Sequence, residues 1–246
     1  MILKKEYVPQ FRETDADGKI GLRGYMDYFQ DVATTYMYNL GKSNDTLPEE
    51  YGLCWMYTRY KIHINKKADF NVPLKLETWV EKSKSSFLVF QDMVISRNGE
   101  VYASGRLENC LYNRKLREMG NVNEVDFPLD VALEKKVEIG TYTRFRRKID
   151  DMKYCYSHTV RYTDMDKNIH MNNLVYISLM MDVFDYEFYC HHRITDFEIH
   201  YISQCFEGEE IKLYMKQDEQ GYKIAFVKAD GTLSAIGLIK VEEAVS

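Results

Sequence analysis

The sequence predicts an α+β protein built from two copies of one unit, each a helix set against an antiparallel sheet. Three internal matches carry that prediction. Arg12-Glu-Thr-Asp-Ala-Asp-Gly-Lys-Ile20 returns 149 positions later as Arg161-Tyr-Thr-Asp-Met-Asp-Lys-Asn-Ile169. Thr58-Arg-Tyr-Lys-Ile-His63 returns at 137 positions as Thr195-Asp-Phe-Glu-Ile-His200, and Asn98-Gly-Glu-Val-Tyr-Ala103 returns at 132 as Asp230-Gly-Thr-Leu-Ser-Ala235. The spacings only shrink, so the order of segments is kept while loops shorten, as duplication of one unit requires.

The elements follow in the same order in both copies. A short strand, expected over 6–12 and 154–162, runs into a Thr-Asp-x-Asp turn. A helix comes next, because Tyr25, Phe29, Val32 and Tyr36 recur every three or four residues, and so do Leu174, Ile177, Met181 and Phe184. Strands are then expected over 55–65, 73–82, 87–97 and 101–112, and over 197–203, 210–217, 222–229 and 232–241. Asn98-Gly99 and Asp230-Gly231 suit two-residue hairpin turns that need positive φ. Residues 114–152 carry Gly120, Pro128 and a charged run, which reads as a linker between units 1–113 and 153–246. The segment is long for a structureless loop, so part of it is expected to pack against a domain.

Composition narrows the function. With 246 residues, 45% hydrophobic and 29% charged, the chain is globular, which excludes disordered and fibrous classes. A net charge of −5 argues against general nucleic-acid binding, which needs a basic face. No run approaches the roughly 18 apolar residues of a membrane span, and the start lacks the apolar stretch of a secretory signal. Cys54, Cys110, Cys155, Cys190 and Cys205 form no C-x-x-C pair, so neither a disulfide framework nor a zinc site is expected and a cytoplasmic location is.

Chemistry is expected where the copies differ. At the spacing of 149, Lys19 faces Asn168, Gly21 faces His170, and Arg23 and Gly24 face Asn172 and Asn173; at 137, Lys67 and Ala68 face Gln204 and Cys205. Asp166, Asn168, His170, Asn172 and Asn173 thus gather at one helix start, in the second copy alone. A helix N-terminus presents unpaired amides and partial positive charge to a developing oxyanion. A histidine can move a proton near neutral pH, an asparagine can donate or accept without titrating, and a carboxylate can fix a tautomer or a water. Each residue also has a plainer reading: Asn172 or Asn173 as helix N-cap, Asp166 as a turn former, Cys205 as a small buried hydrophobe instead of a nucleophile based by His170. Asp164-x-Asp166-x-Asn168 opens like a calcium loop, but Ile169 and Val175 stand where that loop needs Gly and Glu. His191-His192 reads as a solvated turn, and His63 and His200 as structural strand residues.

Together these residues resemble a known family. Asp166-Lys-Asn-Ile-His-Met-Asn-Asn-Leu-Val-Tyr176 is similar to the D-x-N-x-H-x-N-N-x-x-Y signature of acyl-acyl carrier protein thioesterases, and Leu76-Glu-Thr-Trp-Val80, Asn98-Gly-Glu100 and Tyr201-Ile-Ser-Gln-Cys205 agree with it. The resemblance implies a tandem, or double, hot-dog fold and hydrolysis of fatty acyl-carrier-protein thioesters. It carries catalytic roles to Asp166, Asn168 and His170. The family commonly has Glu directly before Cys in the next strand, where this chain has Gln204-Cys205, so another base, Cys205 or slow turnover is implied. The helix residues Tyr25, Phe29, Val32 and Tyr36 could line an acyl slot in the first unit, or be core. Arg114, Lys115 and Arg117, or Arg144, Arg146, Arg147 and Lys148, could dock the carrier protein, or be solvated linker. No metal or other cofactor is implied, and a homodimer is possible. The rival readings are an acyl-CoA thioesterase and a non-catalytic acyl-binding protein.

Overall fold

The computed structural model describes residues 1–244 and divides into two compact units, Met1–Gly140 and the remainder from Thr141. In the first unit, β1 (Leu3–Tyr7) leads through a 3-10 turn at Phe11–Glu13 to β2 (Lys19–Ile20), the long helix α1 (Leu22–Asn39) and the short α2 (Leu47–Tyr51). There follow β3 (Leu53–Ile64), β4 (Ala68–Asp69), β5 (Leu74–Val80), β6 (Leu88–Arg97), β7 (Glu100–Asn113) and β8 (Glu118–Gly120). The antiparallel order is β1-β5-β6-β7-β3, with β8 on β7, and β2 pairs separately with β4. The apolar stripe predicted on α1 is its core face: Tyr25, Phe29, Val32 and Tyr36 are each fully enclosed. Helix and sheet approach closely at Gly105, where a Cβ would lie 2.8 Å from the Phe29 ring.

The second unit repeats the plan with β9 (Lys153–Thr159), a 3-10 turn at Tyr162–Asp164, α3 (Asn173–Met181), α4 (Tyr186–His191), β10 (His192–Tyr201), β11 (Glu210–Asp218), β12 (Gly221–Lys228) and β13 (Leu233–Glu243). Its antiparallel order is β10-β13-β12-β11-β9. The helix-to-sheet contact recurs: a Cβ on Gly237 would meet Met180 at 2.5 Å. Gly99 and Gly231 take φ of +82° and +84° at the two hairpin turns, the conformation their Asn-Gly and Asp-Gly sequences were expected to supply.

Two expectations need correction, and one is refined. The second helix is not one long element. It ends at Met181, and Asp185 starts α4 by accepting a hydrogen bond from the Phe188 amide at 2.9 Å, so Phe184 lies between the helices, stacked on Phe188. The linker expected over 114–152 packs, as its length required, and is divided between the two units. Its first part adds β8 to β7, and the Val137 amide donates to buried Asp92, so residues to Gly140 belong to the first unit. Its end belongs to the second unit, where the Thr143 amide donates to buried Glu198 at 2.6 Å. Finally, Gln204 and Cys205 lie in the loop after β10, not in a strand.

Candidate active site

The segment from Asp164 to Asn173 folds as a tight turn running into the start of α3. Asp166 organises it: its amide donates to the His170 carbonyl at 3.1 Å, its carbonyl accepts from the Ile169 amide at 3.0 Å, and its carboxylate accepts from the Asn168 amide at 2.8 Å. The Asn168 side-chain amide reaches the other carboxylate oxygen at 3.4 Å. Closing the turn puts Ile169 at φ +64°, a strained state for a β-branched residue, and leaves its side chain in solvent. Asn172 is the N-cap of α3, its Oδ1 accepting from the Leu174 amide at 2.9 Å.

His170 is held inside this turn, its side chain 15% exposed. Its Nδ1 lies 3.2 Å from the Met171 carbonyl and 4.0 Å from Asp166 Oδ1. A carbonyl can only accept, so Nδ1 carries the proton and Nε2 of the neutral ring is left as an acceptor. Across the turn, the Met171 amide donates to the Cys205 carbonyl at 2.8 Å, which ties the loop of Gln204 to the His170 segment. Cys205 itself is fully enclosed; burial holds its thiol up, and the Tyr176 hydroxyl donates to Sγ at 3.2 Å. Tyr176 was part of the sequence signature without a role attached; it pins this loop from the fourth residue of α3.

The hydrogen bonds also reset the match between the two copies. Asp15 repeats the pattern of Asp166: its amide donates to the Lys19 carbonyl at 2.8 Å, and its carbonyl accepts from Gly18, at φ +75°. Gly21 caps α1 as Asn172 caps α3. The site turns therefore correspond at 151 positions, not 149. His170 stands opposite Lys19 and not Gly21, and Asp166 stands opposite Asp15. The error has a simple cause, since Asp-x-Asp matches itself after a two-residue slip. Lys67 remains opposite Gln204, because Ile20 pairs with Ala68 as Met171 pairs with Cys205.

The corrected match sharpens the contrast. In the first unit Lys67 Nζ sits 2.8 Å from Asp15 and 2.9 Å from Asp17, while Lys19 pairs with Asp69 at 2.7 Å. Every carboxylate of that turn faces an ammonium. In the second unit a neutral amide, Gln204, replaces Lys67, and the imidazole of His170 replaces Lys19. Asp166, Asn168, His170, Asn172 and Asn173 come together in one segment, with Gln204 and Cys205 on the loop bonded to it. Tyr25, Phe29, Val32 and Tyr36 lie in the core of the other unit, where the Tyr25 hydroxyl donates to the Lys66 carbonyl at 2.8 Å. Of the remaining histidines, His200 bonds buried Glu198 at 2.8 Å, and His192 stacks on Phe188.

A helix packed on an antiparallel sheet, repeated in tandem with the histidine turn in the second copy, defines an α+β protein of the double hot-dog type. Residues 1–127 match the acyl-ACP thioesterase N-terminal domain and residues 147–236 the acyl-ACP thioesterase C-terminal domain, so the chain belongs to the acyl-ACP thioesterase family. The fold is that of an acyl-ACP thioesterase from Bacteroides thetaiotaomicron (TM-score 0.87, 20% identity, 98% of both chains). It is also that of a 12:0-ACP thioesterase from Umbellularia californica (TM-score 0.84, 16% identity, 99% of this chain and 98% of the other). Among curated relatives, a chloroplastic palmitoyl-acyl carrier protein thioesterase of Arabidopsis thaliana is 23% identical over 202 residues, covering 74% of this chain and 47% of the relative. The chain thus spans about half the length of the curated relatives it matches. Among the described residues no helix is long and apolar enough to cross a membrane.

Proposed function

We propose that the chain hydrolyses fatty acyl-[acyl carrier protein] thioesters to free fatty acid and the carrier thiol. The observation that carries this reading is the Asp166–Asn168–His170 turn, with its imidazole Nε2 presented as an acceptor beside a helix start, in a chain of this family. In this mechanism a water gives a proton to His170 Nε2 as its oxygen attacks the thioester carbonyl carbon. The tetrahedral intermediate collapses, the C–S bond breaks, and the thiolate takes the proton back from His170. A thiol pKa near 8.5 makes sulfur a good leaving group, so positioning water and stabilising the oxyanion are the main demands. The amides of Met171, Asn172, Leu174 and Val175 already donate within the protein. The neighbouring amides of His170 and Asn173, with the Asn168 side chain, are the donors proposed for the oxyanion. Asp166 holds the turn and favours the protonated imidazole as it forms.

Water is proposed as the nucleophile in place of Cys205, because that thiol is enclosed, held up by burial and already a hydrogen-bond acceptor. The first unit is proposed as the acyl-chain unit, without a reacting site of its own, since Lys67 bridges both carboxylates of its corresponding turn and Lys19, in the place of His170, is paired with Asp69. The test is free-thiol release from fatty acyl-carrier thioesters of several chain lengths and from matching acyl-CoAs. His170→Ala is expected to lower kcat by at least about 100-fold. Turnover of acyl-CoA alone would replace the carrier substrate with CoA. Tight acyl binding without turnover would make the chain a binding protein, the reading that the amide at Gln204 favours.

A further inference from the structure

In the second unit His158, a residue of β9, reaches the start of the turn that carries His170. Its Nε2 lies 2.8 Å from Asp164 Oδ2, the oxygen that also accepts from the Arg161 amide at 2.8 Å. A carboxylate accepts and does not donate, so Nε2 carries a proton whatever the charge of the ring. The two side chains are 25% and 16% exposed, and enclosure strengthens a hydrogen bond to a carboxylate. Arg161 belongs to the same turn as Asp164, so of these two donors His158 is the one that fastens the turn to the sheet.

The contact continues to His170 in two steps. The Asp164 carbonyl accepts from the Asn172 amide at 2.8 Å, and His170 Nδ1 lies 3.2 Å from the Met171 carbonyl. That amide and that carbonyl are the two sides of one peptide group, which is planar and stiff about its C–N bond. Asp164 thus sets the tilt of the plane whose carbonyl holds the proton on Nδ1 and leaves Nε2 as the acceptor. Moving Asp164 would turn that carbonyl away from the ring.

The first unit holds its turn in another way. Tyr7 pairs with Leu74 across β1 and β5 as His158 pairs with Ile211 across β9 and β11, so the two side chains occupy one place. The matching carboxylate, Glu13, accepts from the Gln10 amide at 2.7 Å and from the Tyr28 hydroxyl of α1 at 2.6 Å. Tyr7 only packs on Tyr28, their ring centroids 5.0 Å apart. At the place of Tyr28, 151 positions on, α3 has the aliphatic Leu179. The helix supplies the donor beside the lysine turn, whereas the sheet supplies it, as a histidine, beside the histidine turn. We propose that His158 is a positioning residue for His170, acting through Asp164 and the Met171–Asn172 peptide; the proposal rests on the hydrolase reading above.

The test uses His158→Leu, which removes the donor at similar volume, and His158→Gln, whose side-chain amide can donate from near the place of the ring Nε2; melting temperatures confirm folding. His158→Leu is expected to lower kcat for fatty acyl-carrier thioesters about tenfold with KM kept, as a small misplacement of a reacting group does. His158→Gln should recover most of that loss. Asp164→Ala should lower kcat at least as much, and adding His158→Leu to it should lower kcat no further, since His158 acts through that carboxylate. A rise in KM at constant kcat, a glutamine variant as slow as the leucine one, or additive losses in the double variant would each overturn the proposal. If the wild-type chain turns over no thioester, the hydrolase reading fails separately, and the ring-nitrogen NMR signals of His170, assigned with His170→Ala, decide the positioning role. Wild type and His158→Gln should show the proton on Nδ1, and His158→Leu should move it in part to Nε2. His170 signals unmoved by His158→Leu would remove the assignment.

Discussion

Gln204 sets the charge of the candidate site. In the first unit the residue in its place, Lys67, takes both turn carboxylates at 2.8 and 2.9 Å. Gln204→Lys should therefore place an ammonium on Asp166 and lower kcat by about 100-fold or more, with the melting temperature kept. Gln204→Glu, which restores the acid of the family pattern, should raise kcat on the carrier thioester several-fold. A lower kcat would show that the carboxylate has no part in this chain's reaction. Cys205→Ser should keep most of the thiol-release activity, since the group is buried and accepts from Tyr176; complete loss would make Cys205 the nucleophile. Tyr176→Phe should cost about 1 kcal/mol in urea unfolding, the usual net worth of one hydrogen bond. The residues of this site were legible in sequence because their chemistry is local: a Thr-Asp-x-Asp turn, a histidine and a capping asparagine within ten positions. The Tyr176–Cys205 contact was not, since it depends on which loop lies beside α3.

At the scale of elements, the close approach of helix and sheet turns on one glycine per unit, Gly105 under Phe29 and Gly237 under Met180. A methyl at Gly237 would stand 2.7 Å from the Glu198 carbonyl as well, and backbone cannot move aside as a flexible methionine can. Gly237→Ala is expected to cost about 1–3 kcal/mol, measured by denaturant midpoint. Gly105→Ala, facing a rigid phenylalanine ring at 2.8 and 3.1 Å, should cost a similar amount. The strands after each helix were readable from alternation and from the Asn-Gly and Asp-Gly turns, which allow one register only. The second helix was misread because Leu174, Ile177, Met181 and Phe184 keep a helical period through a break. Asp182 and Asp185 decide that break: Asp185 can cap a new helix, and periodicity does not record a cap that interrupts it. Register within the repeat failed for a related reason, because a self-similar Asp-x-Asp motif aligns equally well two residues apart, and only the hydrogen bonds of Asp15 and Asp166 separate the choices.

For the whole molecule, the asymmetry between units reaches into stability. Asp27, half-buried in the second turn of α1, has its carboxyl pushed up to about 6, chiefly by burial; the Arg23 guanidinium opposes this, and Glu13 and Asp31 add to it. In the unfolded chain the same group titrates near its ordinary value of 3.8. Between those values the folded state binds more proton than the unfolded one, so this group's contribution falls as pH rises from about 4 to about 6 and stays unfavourable above that. Lys5 faces Asp31 from β1, and the Tyr28 hydroxyl donates to Glu13 at 2.6 Å, so neither neighbour relieves Asp27 directly. Asp27→Asn keeps the shape and removes the charge. Its melting temperature should exceed that of the wild type at pH 7, and the difference should shrink to nothing by about pH 4. A difference that stays constant across this range would mean the gain comes from packing or helix propensity and not from ionisation. Because Asp27 lies in the first unit, away from the His170 turn in sequence and in its own compact domain, the substitution should leave the pH profile of thiol release unchanged. A shift of that profile would show that the charge of α1 is felt at the reacting group.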